Sequence, residues 1–219
     1  MSDDLDVLII GAGIQGAGVA QAAAAAGYRV RALEQQAIAA GTSSRSSKLI
    51  HGGLRYLESH QYALVRKTLK ERDLLLRNAP DLVKLTPFYI PVYSTTRRRP
   101  ALVRIGLMLY SLLGGLRATS RFRTVPRAEW KQLDIARDGL LAVYQFWDAQ
   151  TDDAALTHAV IHSAQNLGAE LVCPASFVSA QVTPQRIELV YRQADEEIRC
   201  TTRVLVNASG PWVNEVLAG

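Results

Sequence analysis

Residues 5–34 read LDVLIIGAGIQGAGVAQAAAAAGYRVRALE. Leu5–Ile10 is a short apolar run of the kind that forms a parallel strand covered on both faces. Gly11-Ala12-Gly13-Ile14-Gln15-Gly16 follows as G-x-G-x-x-G. The first glycine permits a tight turn, the second lets the backbone approach a pyrophosphate, and the third lets helix and strand pack closely. An alanine-rich helix then runs to about Ala26 and stops at Gly27, which tolerates the positive φ of a helix end. Tyr28–Leu33 alternates as a second strand and ends at Glu34. This is a complete βαβ unit in about 30 residues. A diphosphate would face the free N–H groups at the helix start. Glu34, 23 residues after Gly11, would accept hydrogen bonds from ribose hydroxyls and repel a 2′-phosphate. That favours FAD or NAD over NADP.

The next stretch, Thr42–Glu58, reads TSSRSSKLIHGGLRYLE. Its serines, its Gly-Gly pair and the cations Arg45, Lys48, His51 and Arg55 suit a loop that holds a phosphorylated or anionic molecule. Gln61–Ala79 reads as a helix with Leu64, Val65, Leu69, Leu75 and Leu76 at helical spacing. Pro87, Pro91 and Pro100 are expected to break the following chain into short extended pieces. Arg97-Arg98-Arg99 precedes an apolar segment, Ala101–Leu113, and Arg117, Arg121, Arg123 and Arg127 follow it. That segment is too short to span a bilayer. It reads equally as an interfacial helix or as a core or cap helix with a solvated basic rim.

From about Leu140 the pattern changes. Thr151 is expected to cap a helix with Leu156, Ala159, Val160, Ser163 and Leu167 on one face, ending at Gly168. Strand candidates at 176–182, 186–192 and 198–203, joined by short turns, form a β-meander. A separate late strand, Val204–Val206, ends in Asn207-Ala208-Ser209-Gly210. The regular βα alternation of NAD enzymes is thereby interrupted, and the order is that of flavoproteins of the glutathione-reductase type.

The 219 residues carry a formal charge of +5, which fits an anionic substrate, a membrane surface or nucleic acid without choosing among them. Cys173 and Cys200 lack metal or redox spacing and read as reduced structural thiols of a cytosolic protein. No signal peptide is visible. His158 and His162 stand four apart but lack a third ligand, so no metal site is expected. Asp152 and Asp153 read as acids enriching a helix start. The arginines sit in no recognised nucleic-acid-binding module.

GAGIQGAG, TSSRSSKLIHGGLRYLE, RIGLMLYSLLG, TDDA and NASGPWV, in that order along the whole chain, resemble the FAD-dependent glycerol-3-phosphate dehydrogenases, respiratory members of the DAO-type oxidoreductases. The resemblance implies an α/β, Rossmann-like FAD-binding fold of the glutathione-reductase type, with a parallel sheet plus β-meander. The FAD-binding domain would be discontinuous, 1–85 and 140–219. Residues 86–139 would form a helical, basic insertion belonging to a substrate- or membrane-facing region.

By the same resemblance, Gly11, Gly13, Ile14, Gln15 and Gly16 would hold the FAD pyrophosphate and Glu34 the adenosine ribose. Thr42, Ser43, Ser44, Ser47, Lys48 and Leu49 would line the ribityl and phosphate path. His51, Gly52 and Gly53 would lie near the isoalloxazine ring. Val178 would contact adenine through its backbone, and Ser209 and Gly210 would close the cofactor site. Arg55 would grip the substrate phosphate through its guanidinium fork. A redox or proton-transfer role for His51 and a structural hydrogen bond are both open.

The implied reaction oxidises sn-glycerol 3-phosphate to dihydroxyacetone phosphate, with hydride leaving C2 for flavin N5 and electrons passing to quinone. The place implied is the cytoplasm or the inner face of the cytoplasmic membrane, and a homodimer is compatible. Three other readings stay open: an oxygen-using glycerol-phosphate oxidase, another DAO-type oxidase acting on an amine or 2-hydroxy acid, and a non-catalytic FAD-binding fragment. The last arises because the family continues for several hundred residues, so the chain is expected to be an N-terminal, truncated part. The family's Asp-Asp-Ala-Arg is Asp152-Asp153-Ala154-Ala155 here, without the arginine.

Overall fold

The computed structural model describes residues 4–218. In chain order the elements are β1 (Asp4–Ile10), α1 (Ile14–Ala25), β2 (Val30–Leu33), β3 (Leu49–Ile50), α2 (Tyr62–Asn78), β4 (Val83–Tyr93), α3 (Pro100–Leu113), β5 (Phe122–Thr124), β6 (Leu140–Thr151), α4 (Asp153–Asn166), β7 (Glu170–Val172), β8 (Ser176–Val182), β9 (Ile187–Gln193), β10 (Glu196–Asn207) and α5 (Val213–Leu217). They fall into two compact units. One comprises the chain up to Ser47 and from Asp152 onward; the other is Lys48–Thr151. The division does not follow 85 and 140, because β4 and β6 pair along their full lengths and keep 48–93 in one body with 140–151.

The first unit is built on a six-stranded sheet in the order β7-β2-β1-β10-β9-β8. The first four strands are mutually parallel, and β9 and β8 complete it antiparallel. Leu8 and Ile9 of β1 are fully buried, on opposite faces of a strand covered on both sides. One face packs Leu8, Leu33, Leu189 and Tyr191. The other packs Ile9, Val30 and Ala32 beneath Ala20 and Ala24 of α1 and Ala164 of α4. The small residues of α1 allow that close approach.

Three expectations need correction in this unit. The late strand is not separate. β10 is one strand of 12 residues; its first half pairs with β9 and its second half with β1, since no turn residue divides Arg203 from Val204. The cap of α4 is Asp152, whose Oδ1 accepts the Ala155 N–H at 3.0 Å, while Thr151 ends β6. The buried face of α4 is Asp153, Leu156, Thr157, Ile161 and Ala164, and Leu167 stays exposed.

In the second unit β6 is the central strand, with β4 on one side and β3 and β5 on the other, all antiparallel. Pro87 and Pro91 do not break β4, which runs 11 residues. On an edge strand a residue without N–H is tolerated where its nitrogen faces away from the partner, and these two prolines, four apart, share one orientation. Helices α2 and α3 pack on this sheet through Val65, Leu69 and Tyr110 against Phe146, and Leu107 against Tyr144. The buried face of α2 also differs from expectation: it is Val65, Leu69, Arg72 and Asp73, whereas Leu64 is exposed.

Candidate functional site

In the first unit the glycine turn, Ser43, Glu34 and Ser209 lie together at the carboxyl end of the parallel strands. Gly11 adopts φ +102°, and a Cβ there would stand 2.7 Å from the Ala208 carbonyl oxygen. The end of β10 therefore lies directly against the glycine turn. A Cβ on Gly16 would stand 1.9 Å from the Gly11 oxygen, so only glycine lets α1 start this close to β1. The Ile14 N–H, at the start of α1, donates to Ser43 Oγ at 2.9 Å. Glu34 is fixed at both oxygens, Oε2 accepting the Ala12 N–H and Oε1 the Gln36 N–H, each at 2.9 Å.

The serine-rich loop is held from two sides. Thr42–Ser44 forms a single 3₁₀ turn, and the Ser46 N–H donates to Asp153 Oδ2 at 2.9 Å. Asp153 thus ties the loop to α4, a task beyond enriching a helix start. The Trp212 ring lies over Gly41, where a Cβ would meet Cζ3 at 3.0 Å. Ser209 donates from N and Oγ to Asn207 Oδ1 at 3.2 and 2.6 Å, and Gly210 takes φ +60°. Val178 sits at the irregularity in the β8–β9 ladder, where the register passes from Phe177 to Ser179. A bulge leaves backbone groups outside the ladder, which suits a residue expected to use its main chain.

Lys48 and Leu49 lie in the second unit. Lys48 takes φ +58°, a conformation uncommon for a long side chain and found at functional turns; its carbonyl accepts the Thr151 N–H at 2.9 Å. Beyond it, His51, Gly53, Arg55, Tyr56, Glu58 and Asp148 line an open cleft of about 710 Å³. Gly53, at φ +76°, starts the 3₁₀ turn Leu54–Ser59, which projects Arg55 into solvent. Arg55 is exposed and has no ion pair or hydrogen bond among the described residues. His51 is exposed too, with its ring 6.3 Å from that of Tyr56.

Behind the cleft lies a polar cluster that sequence reasoning did not single out. Arg72 is wholly buried. Its Nη1 donates to Asp148 Oδ1 and the Trp147 carbonyl, both at 3.0 Å, and its Nη2 to the Thr119 carbonyl at 2.7 Å. Asp148 Oδ1 also accepts the Gly52 N–H at 2.8 Å. The signal in the sequence was a cation on the Val65–Leu69 stripe at helical spacing.

Burial raises the Asp148 carboxyl above its ordinary value of 3.8, opposed by Arg72, the Gly52 N–H and His51. Asp148 therefore binds a proton more readily folded than unfolded. Its contribution to stability grows as pH falls from above its raised native value to below 3.8. Asp6 has the opposite sign: the Arg29 backbone N–H lowers it, and its contribution is lost as pH falls through its native value. Carbon-13 NMR is expected to show Asp148 titrating above 3.8 and Asp6 below it; the reverse order would contradict the burial of Asp148.

No group of three or more His, Cys, Asp or Glu among the described residues could hold a metal. No helix among them is long and apolar enough to cross a membrane.

The chain is 37% identical over 99% of its length to a glycerol-3-phosphate dehydrogenase of Mycobacterium leprae, covering 38% of that protein. It is 38% identical over 97% of its length to a D-erythritol 1-phosphate dehydrogenase of Brucella abortus, covering 42% of that protein. The chain thus spans well under half the length of these relatives. Among solved structures, the glycerol-3-phosphate dehydrogenase of Bacillus halodurans complexed with FAD superposes with TM-score 0.72 over 97% of this chain and 35% of that one, at 24% identity; this likeness carries the fold. The family model described as FAD dependent oxidoreductase, DAO, matches residues 6–219. With the glycine turn, fixed Glu34 and strand order in hand, the chain belongs to the DAO family of FAD-dependent oxidoreductases.

Proposed function

We propose that the chain carries the FAD-binding part of an enzyme that oxidises sn-glycerol 3-phosphate to dihydroxyacetone phosphate. The observation that supports the substrate reading is Arg55, an exposed guanidinium without an ion pair or hydrogen bond among the described residues, at a cleft it shares with His51. A fork of this kind binds phosphate by paired, charge-assisted hydrogen bonds.

The residues present fit FAD. A cradle that a Cβ would fill at Gly11 and Gly16 and the N–H groups at the start of α1 suit the diphosphate, with Gly13, Ile14 and Gln15 completing the turn. Glu34, held from two sides, suits the ribose, and Val178 the adenine. Thr42, Ser43, Ser44 and Ser47 follow the phosphate and ribityl path, and Ser209 and Gly210 close it. When bound, FAD supplies the two-electron acceptor for the hydride leaving the substrate carbon. The chain's own groups do the rest: Gly52 and Gly53 make room for Tyr110 and Tyr56 behind the turn that carries His51, Arg55 anchors the phosphate, and His51 can hold a proton beside the reacting hydroxyl.

Turnover assays on the purified 219-residue chain test this with dye reduction and each of two substrates, glycerol 3-phosphate and erythritol 1-phosphate. Preference for the first supports the reading, and preference for the second moves it to the longer polyol phosphate of the Brucella relative. Peroxide formed in air without quinone would indicate an oxidase. No turnover with FAD bound would leave a FAD-binding fragment. Arg55→Ala is expected to raise KM for glycerol 3-phosphate at least about tenfold, and an unchanged KM would sink the phosphate role.

Electrons are read as passing to quinone at a membrane, and α3 supports that placement. Leu102, Ile105, Met108 and Leu112 form an exposed apolar stripe along it. Between Ser94 and Ala128 the chain has eight arginines and no acid. An apolar helix face rimmed by cations suits an anionic bilayer surface. Co-sedimentation with vesicles containing phosphatidylglycerol is expected to weaken by at least about tenfold in Ile105→Glu/Met108→Glu; binding equal to wild type would remove α3 from the membrane surface.

A further inference from the structure

The turn His51–Gly53 is gripped at both polar groups of its central residue. The Gly52 N–H donates to Asp148 Oδ1 at 2.8 Å, and the Gly52 carbonyl accepts from Thr68 Oγ1 at 2.8 Å. A side chain has no room there: a Cβ would stand 2.1 Å from the Tyr110 hydroxyl and 2.4 Å from Leu69 Cδ2. Asp148 is held in turn by Arg72, whose own position is set by the carbonyls of Trp147 and Thr119. Helix α2 thus supplies Thr68, Leu69 and Arg72 to one turn, and β6 supplies Asp148. Backbone packing alone does not need a buried carboxylate here, since an apolar residue would fill the same space without desolvating a charge. What the carboxylate adds is a directional acceptor for one amide.

We propose that Asp148 is the positioning residue of the His51–Gly53 turn, acting through the Gly52 N–H, with Thr68 as its counterpart on the carbonyl. The placement of His51 and Gly53 toward the flavin rests on the function proposed above. The clamp fixes where His51 enters the cleft.

The test compares wild type with Asp148→Asn, Asp148→Ala and Thr68→Val, all as the 219-residue chain. Amide hydrogen exchange is read without cofactor, and the visible bands of bound FAD are read with it. In Asp148→Ala the Gly52 amide is expected to exchange roughly tenfold faster, because a charge-assisted hydrogen bond is gone. Amides of β6 and α2 remain protected in Asp148→Asn and Thr68→Val. Asp148→Asn, whose amide oxygen still accepts the N–H, restores most of the protection. Thr68→Val, which leaves Arg72 and Asp148 untouched, shifts the flavin bands in the same sense as Asp148→Ala and serves if that variant does not fold.

Fast exchange of Gly52 in wild type would overturn the clamp. So would loss of protection across α2 and β6 together in both Asp148→Asn and Thr68→Val, which would mark packing residues only. Flavin bands identical in wild type, Asp148→Ala and Thr68→Val would overturn the positioning role. Absence of flavin bands in wild type would defeat the cofactor reading and the flavin part of this one, while the Gly52 exchange still decides the clamp.

Discussion

Gly16→Ala is expected to weaken FAD binding and destabilise the chain, whereas Gly18→Ala, two residues on in the same helix, is expected to do neither. The added methyl at 16 would stand 1.9 Å from the Gly11 carbonyl oxygen and 3.3 Å from Ile9 Cγ2. Neither neighbour is a flexible side-chain tip, so α1 must move away from β1. Overpacking of this kind costs about 1–3 kcal/mol or more. It also displaces the N–H groups that would meet the diphosphate, so FAD affinity is expected to fall at least about tenfold beyond any unfolding. A Cβ on Gly18 meets nothing within 4 Å, and there alanine is expected to stabilise by about 0.5–1 kcal/mol through helix propensity. Urea denaturation and FAD titration of both variants check the pair. Equal behaviour of the two would mean that α1 does not approach β1 as described.

Arg72→Met is expected to cost about 3–5 kcal/mol, because it strands the buried Asp148 carboxylate and frees the carbonyls of Trp147 and Thr119. For a chain with an m-value of about 1–3 kcal/mol/M that is a fall of one to a few molar in the urea midpoint, or failure to fold. The charge is the cause rather than the lost volume, since methionine fills a similar space. Arg72→Met/Asp148→Leu is therefore expected to recover part of the loss, because removing both charges avoids the uncompensated one. A double variant less stable than Arg72→Met would show that Asp148 has partners that matter more than Arg72.

The N-terminal βαβ unit was legible because its signals are local. A buried strand, three glycines at fixed spacing and a helix-stopping Gly27 fall within residues 5–34 and agree with one another. The β-meander was equally legible from its turns, but the continuity of β10 was not: whether a strand that leaves one partner for another is one element or two depends on neighbours far away in sequence. The β4–β6 pairing was hidden for a related reason. Pro87 and Pro91 look like breakers until β4 is known to be an edge strand.

The candidate site divides in the same way. Residues that act through backbone geometry, such as Gly11, Gly16 and Gly53, announce themselves by type. Asp148, Thr68 and Arg72 act through contacts across 16 to 96 residues of sequence, and nothing in their immediate surroundings marks them. Asp153 was read only as part of a helix start, although its bond to Ser46 spans 107 residues.

Whether the glycine turn and Glu34 hold FAD is read by titrating the purified apo chain with FAD and following the quenching of flavin fluorescence and the resolution of the visible bands. Saturable binding of one FAD per chain is expected in wild type, lost in Gly16→Ala and retained in Gly18→Ala. Flavin that stays free in folded wild-type protein, or binding unaffected by Gly16→Ala, would contradict that reading.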